Sequence, residues 1–154
     1  MPGTKVHMIW SFTFASTLAR LMGFSPIWIL CSATMAAALD ALIDLGHEGY
    51  ERSAATHSLA AAPIPLILAL IIAKLSPGGV ACLEELGAIL TVSMLGHLFW
   101  DSLTVDGVHV PFAGWVRLAS LRSRGAVANA LPIVSAAILT LAFWHPSGIS
   151  GLGI

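Results

Sequence analysis

The stretch "PIWILCSATMAAALDALIDLG", residues 26–46, decides the fold class. It is apolar over about the 20 residues that a helix needs to cross a membrane. It also carries Asp40 and Asp44, which an α-helix places on one face because they are four residues apart. Two carboxylates so close in an apolar setting repel each other unless a cation or a shared proton lies between them. The stretch therefore predicts a membrane helix with an ionisable site near its end.

The composition of the whole chain agrees with a membrane protein. Of its 154 residues, 57% are hydrophobic and 10% are charged, whereas a soluble domain typically has about 25% charged residues. The mean hydropathy is +0.88. The net charge is −1 and there is no basic run, so nothing indicates a nucleic-acid partner. Cys31 and Cys82 have no metal-type spacing and are expected to pack as small apolar residues.

Five apolar segments predict an all-α, polytopic membrane helix bundle with about five transmembrane helices in one domain, residues 1–154. The first also has the basic residue and apolar run of a signal peptide, but His7 is unusual in a leader, and we expect a helix. The second and fifth segments are long enough to span, whereas polar residues cut into the ends of the others. The predicted helices cover about residues 6–22, 26–45, 57–75, 82–103 and 126–144.

The basic residues predict the orientation of this bundle. With five spans, the N-terminus and residues 46–56 and 102–125 share one side of the membrane. The positive-inside rule places that side in the cytoplasm, with the chain in the plasma or inner membrane and its C-terminus outside. The first side holds Lys5, Arg52, Arg117, Arg122 and Arg124, and the second holds Arg20 and Lys74.

The ionisable side chains fall on the same predicted side. In "GHLFWDSLTVDG", residues 96–107, His97 and Asp101 lie one turn apart near the end of the fourth segment. Ionisable groups at membrane depth are costly and usually mark a functional site. We therefore expect one pocket near the cytoplasmic surface, built from four helices. Its candidate residues are His7, Asp40, Asp44, His47, His57, His97 and Asp101.

Imidazoles together with carboxylates suit a divalent transition metal, zinc first, with manganese or iron as alternatives. The candidate ligands are sufficient for one or two ions. Asp40 and Asp44 are the candidate catalytic residues, and Asp40 would be a general base or would orient a ligand. Ser58 and Thr104 could orient ligands or form hydrogen bonds with the backbone at helix ends. We expect His109 and His145 to be polar residues at the membrane interface. The predicted metal ligands are His7, Asp44, His47, His57, His97 and Asp101.

Three blocks of the sequence resemble the membrane-bound metal-dependent hydrolases of the YdjM type, described as LexA-binding and inner-membrane-associated. The blocks are "VHMIWS" with His7, then "LDALIDLGHEG" followed by "ATHSLA", and "GHLFWDSLTVDGVHVPF". Their order and spacing agree with the family over about residues 5–115. Where the family often has "HRG.THS", this chain has "YERSAATHS", with no His before the Arg. The spacing of Asp40, Asp44 and His47 also differs from that of the family.

The resemblance implies a metal-dependent hydrolase. Together with the predicted position of the pocket, it suggests an ester or phosphoester of a lipid or lipid-linked substrate, cleaved at the cytoplasmic face. Arg117, Arg122 and Arg124 could form a short interfacial helix that attracts anionic headgroups, or serve only as orientation signals. Two other functions stay open: an ion or proton transporter subunit, and a non-enzymatic adaptor with a structural metal. The sequence also leaves open whether the chain forms a homo-oligomer.

Overall fold

The computed structural model of the chain describes residues 3–44, 53–76, 82–122 and 125–144. Over these residues the chain is mostly helical, as predicted, with one small antiparallel hairpin. The elements are α1 (Thr4–Leu21), α2 (Pro26–Asp44), α3 (Ile64–Leu75), α4 (Leu83–Ser102), β1 (Val108–Val110), β2 (Gly114–Val116) and α5 (Ala126–Trp144).

The third helix begins later than the sequence predicts. We expected a helix from residue 57, but residues 53–63 form turns and a short 3-10 helix, Leu59–Ala61, and α3 starts at Ile64. Pro63 stands at the start of α3, where its missing N–H is not needed. His57 consequently lies in the turns before α3. The 12 residues of α3 span only about 18 Å, less than the roughly 30 Å of a bilayer core.

Two helices, α2 and α5, are long and apolar enough to cross a membrane. The other three are shorter or less apolar, so the prediction of five spans is not confirmed. The surface of the helices is nevertheless rich in large apolar side chains, including Ile9, Leu42, Ile71, Phe99 and Leu141. Apolar residues outside and ionisable residues inside are the arrangement expected of helices that face lipid.

The centre of the bundle has an apolar half and a polar half. α1 contacts α2, α4 and α5, and α4 also contacts α2 and α3. Gly96 lets α1 approach α4 closely, because a Cβ atom at this position would overlap the ring of Trp10. The apolar half consists of Ala15, Ala19, Ala36, Leu86, Ile89 and Leu90. The polar half lies farther along the same three helices, toward the start of α1 and the ends of α2 and α4.

The hairpin lies in the segment between the fourth and fifth predicted helices. β1 pairs with β2 so that His109 lies opposite Trp115, and β-branched and aromatic residues suit such a pair. The interfacial helix considered for Arg117, Arg122 and Arg124 does not form over the described residues up to 122. Instead the backbone N–H of Leu118 donates to the carbonyl of Ser102 at 2.7 Å, which fastens the segment to the end of α4.

Candidate metal centre

Six of the seven predicted ionisable residues meet in the polar half of the bundle. All are buried: the exposed fraction is 0% for the three histidines and for Asp101, 1% for Asp40 and 3% for Asp44. The three histidines are His7, His57 and His97. The seventh predicted residue, His47, lies outside the described residues.

Asp101 lies among the three imidazoles. Its Oδ1 is 3.4 Å from Nε2 of His7, and its Oδ2 is 3.5 Å from Nε2 of His57 and 3.4 Å from Nε2 of His97. These histidines come from α1, from the turns before α3 and from α4. One carboxylate thus faces donors from three separate segments.

Asp44, at the end of α2, completes the cluster. Its Oδ1 lies 3.8 Å from Nε2 of His57 and 3.8 Å from Nε2 of His97. Two sets of three residues have ligand atoms within 4.8 Å of one another, and both sets include His97: His7, His97 and Asp101, and Asp44, His57 and His97. Two ligands that each lie about 2.0–2.2 Å from one tetrahedral ion are roughly 3.3–3.6 Å apart. The spacing of these side chains is therefore close to that of a coordination shell.

The ring of His57 is oriented by its neighbour. The hydroxyl of Thr56 is 3.4 Å from the carbonyl of Ser53, to which it donates, and 2.9 Å from Nδ1 of His57. The shorter contact, with Nδ1, holds the ring so that Nε2 faces Asp44 and Asp101. When Nδ1 carries the proton and donates to Thr56, the lone pair of the neutral ring is on Nε2, as a metal ligand in this position needs.

His97 faces the carboxylate of Asp40 with its other ring nitrogen. Nδ1 of His97 lies 3.2 Å from Oδ1 of Asp40, while Nε2 points to Asp44 and Asp101. A carboxylate on the far nitrogen of a ligating histidine orients the ring and raises its basicity. The rings of His7 and His97 also stack, with centroids 4.1 Å apart. Of the two roles predicted for Asp40, the geometry favours orienting a ligand.

The hairpin supports the His57 segment from the other side. The backbone N–H of His109 donates to the carbonyl of His57 at 2.9 Å, and Nδ1 of His109 is 3.4 Å from the hydroxyl of Ser58. At the end of α4, the hydroxyl of Thr104 donates to the carbonyl of Asp101 at 2.9 Å. Sequence reasoning missed Thr56 and His109 as supports. The position of Thr56 next to His57 was a signal for its role, whereas no local pattern indicates the role of His109.

Several buried polar atoms of the cluster lack hydrogen bonds. Within the described part of the chain, neither ring nitrogen of His7 and neither carboxylate oxygen of Asp44 has a hydrogen-bond partner. The same holds for the hydroxyls of Ser11, one turn after His7 in α1, and Ser93, one turn before His97 in α4. Buried polar groups are costly unless they are bonded or their charge is balanced. A cation bound among the imidazoles and carboxylates would meet this need.

Neither cysteine belongs to the cluster. Cys31 and Cys82 are both free and partly buried, and the described groups of candidate ligands contain only histidine and aspartate. Buried His/Asp groups that could hold a metal ion are therefore present, although the same side chains also pair with one another.

No family model, curated protein or solved structure matches this chain. The resemblance to the YdjM-type hydrolases stays a prediction, and the function has to be argued from the site.

Proposed function

We propose that this chain is a membrane-embedded, metal-dependent hydrolase that cleaves an ester or phosphoester of a lipid or lipid-linked substrate. The observation that carries the proposal is the donor set, which consists of three buried histidines and two buried aspartates from four separate segments. They form two groups in which the ligand atoms lie within 4.8 Å of one another, and neither group contains a cysteine.

This donor set favours catalysis over a structural metal. Structural zinc sites are typically closed by four ligands that include cysteine thiolates, whereas catalytic sites use histidine and carboxylate ligands and keep a position open. The chain has two cysteines and places neither here. The adaptor alternative is therefore the weaker one.

The individual residues have separate roles in this proposal. His7, His57, His97 and Asp101 are the first candidate ligands, and Asp44 is either a further ligand or the general base. Either group of three residues, His7, His97 and Asp101 or Asp44, His57 and His97, would hold an ion and leave a position open. An ion held in this way would supply Lewis acidity and activate water for hydrolysis. Asp40 acts through His97 by holding its ring, and Thr56 acts through His57 in the same way. Zinc suits the donors best, while manganese and iron fit the same mixture.

The transporter alternative requires a polar path to the opposite face. Ser11 and Ser93 extend the polar half by one turn beyond His7 and His97. Beyond them lies the apolar cluster of alanine, leucine and isoleucine side chains. Ser16, Thr17 and Ser32 are also buried at this level, but their hydroxyls donate to carbonyls of their own helices. The apolar cluster opposes the movement of ions or protons and favours a site that is used from one side only.

A mostly apolar pocket near the end of α4 is the candidate site for the hydrocarbon part of a lipid. It has a volume of about 230 Å³ and lies between α4 and the hairpin, with Leu98 and Ser102 on one wall and Val108 and Val116 on the other. Leu98 and Ser102 directly follow His97 and Asp101 in the chain. If the chain lies in an inner membrane with its N-terminus on the cytoplasmic side, the pocket lies near the cytoplasmic leaflet. Lipid substrates would reach it there by lateral diffusion.

The sequence resemblance supports the same reading. Its three blocks contribute His7, then Asp44 and His57, then His97 and Asp101, which together are the five candidate ligands. All five candidate ligands therefore lie within the three blocks.

An activity assay tests the proposal. Metal-loaded protein in mixed micelles is incubated with phosphoester and carboxylic-ester lipids, and product release is followed for wild type, Asp101→Asn and Glu85→Gln. Glu85 is an exposed carboxylate in the first turn of α4, far from the cluster. We expect hydrolysis by wild type and Glu85→Gln, with a loss in Asp101→Asn. Metal-loaded wild type that hydrolyses none of these lipids would contradict the proposal.

A further inference from the structure

A second polar region lies at the opposite end of α1. Arg20, in the last turn of α1, is 13 residues from His7, which corresponds to about 20 Å along the helix. It is half-buried, and within the described residues it forms no ion pair with a carboxylate. A pocket of about 480 Å³ opens beside it, between α1, α2 and α5.

The guanidinium of Arg20 is held in position by three successive contacts. It stacks on the ring of Trp144 with 4.7 Å between Cζ and the ring centroid. Nε1–H of Trp144 in turn donates to the hydroxyl of Thr17 at 3.2 Å. The hydroxyl of Thr17 donates to the carbonyl of Thr13 at 2.8 Å. A fixed, charged donor of this kind is suited to a phosphate group, which a guanidinium binds through parallel hydrogen bonds.

The remaining lining of the pocket indicates which headgroup it takes. Phe12, Ile29 and Leu30 form apolar walls, and among the described residues the lining contains no carboxylate that could pair with a cationic headgroup. Arg20 already stacks on the ring of Trp144, and its positive charge there would repel a quaternary ammonium. The hydroxyls of Ser16 and Thr140 donate to carbonyls of their own helices. The pocket therefore offers one cation above apolar walls.

We propose that this pocket binds an anionic phospholipid of the leaflet opposite the metal centre, with the phosphate on Arg20 and an acyl chain along the groove between α2 and α5. The proposal depends on the chain lying in a membrane and is independent of the metal centre and of hydrolysis. The alternative is that Arg20 only balances the carbonyl end of α1, where cations are favoured.

Lipid retention tests the proposal. Purified protein in detergent is titrated with phosphatidylglycerol or phosphatidylcholine, and bound lipid is counted by native mass spectrometry. Lys74→Gln is a matched control, since Lys74 is also a cation in the last turn of its helix, α3, but is exposed. We expect phosphatidylglycerol to bind more tightly than phosphatidylcholine. Arg20→Gln should weaken its binding about tenfold, the low end for a charged hydrogen bond, and Lys74→Gln should not.

Trp144→Phe provides a second variant, because it keeps an aromatic face for Arg20 and removes the N–H that bonds Thr17. We expect an intermediate loss of phosphatidylglycerol. Equal binding of the two lipids by wild type would overturn the proposal. The proposal would also be overturned if Arg20→Gln and Lys74→Gln bound phosphatidylglycerol equally well and only the melting temperature of Arg20→Gln fell. That result is expected if Arg20 only balances the carbonyl end of α1.

Discussion

Replacing Asp40 by asparagine tests how the centre holds His97. Asparagine keeps the size of the side chain and removes its charge. Oδ1 of Asp40 lies 3.2 Å from Nδ1 of His97, on the nitrogen that faces away from Asp101. Partners that orient a ligating histidine typically contribute 10–100-fold to metal affinity. We therefore expect the Kd for zinc to rise by about 10–100-fold in Asp40→Asn.

The same change has a calculable effect on stability. At a free zinc concentration 100 times the wild-type Kd, binding stabilises the folded protein by about 2.7 kcal/mol. If the Kd rises tenfold, about 1.4 kcal/mol remains at that concentration, and if it rises 100-fold, about 0.4 kcal/mol remains. Zinc should therefore raise the melting temperature of wild type clearly and that of Asp40→Asn much less.

The assay combines a competition titration against a chromophoric chelator with thermal unfolding in detergent, with and without zinc. Glu85→Gln is the control, because it removes the same charge from an exposed carboxylate about 18 Å along α4 from His97. It should bind zinc as wild type does. If Asp40→Asn has the affinity of Glu85→Gln, Asp40 does not support a ligand and this part of the reasoning is refuted.

Asp101→Asn should lose bound metal more completely than Asp40→Asn, since Asp101 faces three histidines directly; equal metal content by elemental analysis in the two variants would contradict this. Gly96→Ala should lower the free energy of unfolding by about 1–3 kcal/mol because the added methyl meets Trp10, and an unchanged melting temperature would count against close packing of α1 on α4. The double variant Cys31→Ala/Cys82→Ala should keep its metal, whereas loss of metal would place a thiolate in the shell. Reporter fusions should locate the N-terminus in the cytoplasm and the C-terminus outside. Reporters that place both termini on the same side of the membrane would contradict five spans.

The helices and the cluster could be predicted from sequence because both depend on local spacing. Apolar length gave α2 and α5 within a residue, and the four-residue spacing of His97 and Asp101 placed both on one face of α4. The one-sided distribution of His7, Asp44 and His57 then indicated that they meet. No single helix required this distribution, so it carried information about the tertiary structure.

The turns before α3 and the hairpin could not be predicted in the same way. The apolar run from residue 57 looks like the start of a helix, but Pro63 fixes the start of α3 near Ile64. The support that His109 gives to His57 joins residues 52 positions apart through their backbones, and backbone hydrogen bonds leave no mark on residue type. The stacking of Arg20 on Trp144 is equally non-local.

X-ray absorption spectroscopy of the zinc-loaded protein tests the metal centre most directly. We expect purified protein to retain zinc in a shell of nitrogen and oxygen atoms at about 2.0–2.2 Å, with the outer scattering of several imidazoles and no sulfur. This imidazole scattering should decrease in His97→Ala. Protein that binds no zinc after gentle purification and addition of metal, or a shell with sulfur at about 2.3 Å, would contradict a centre built from His7, His57, His97, Asp44 and Asp101.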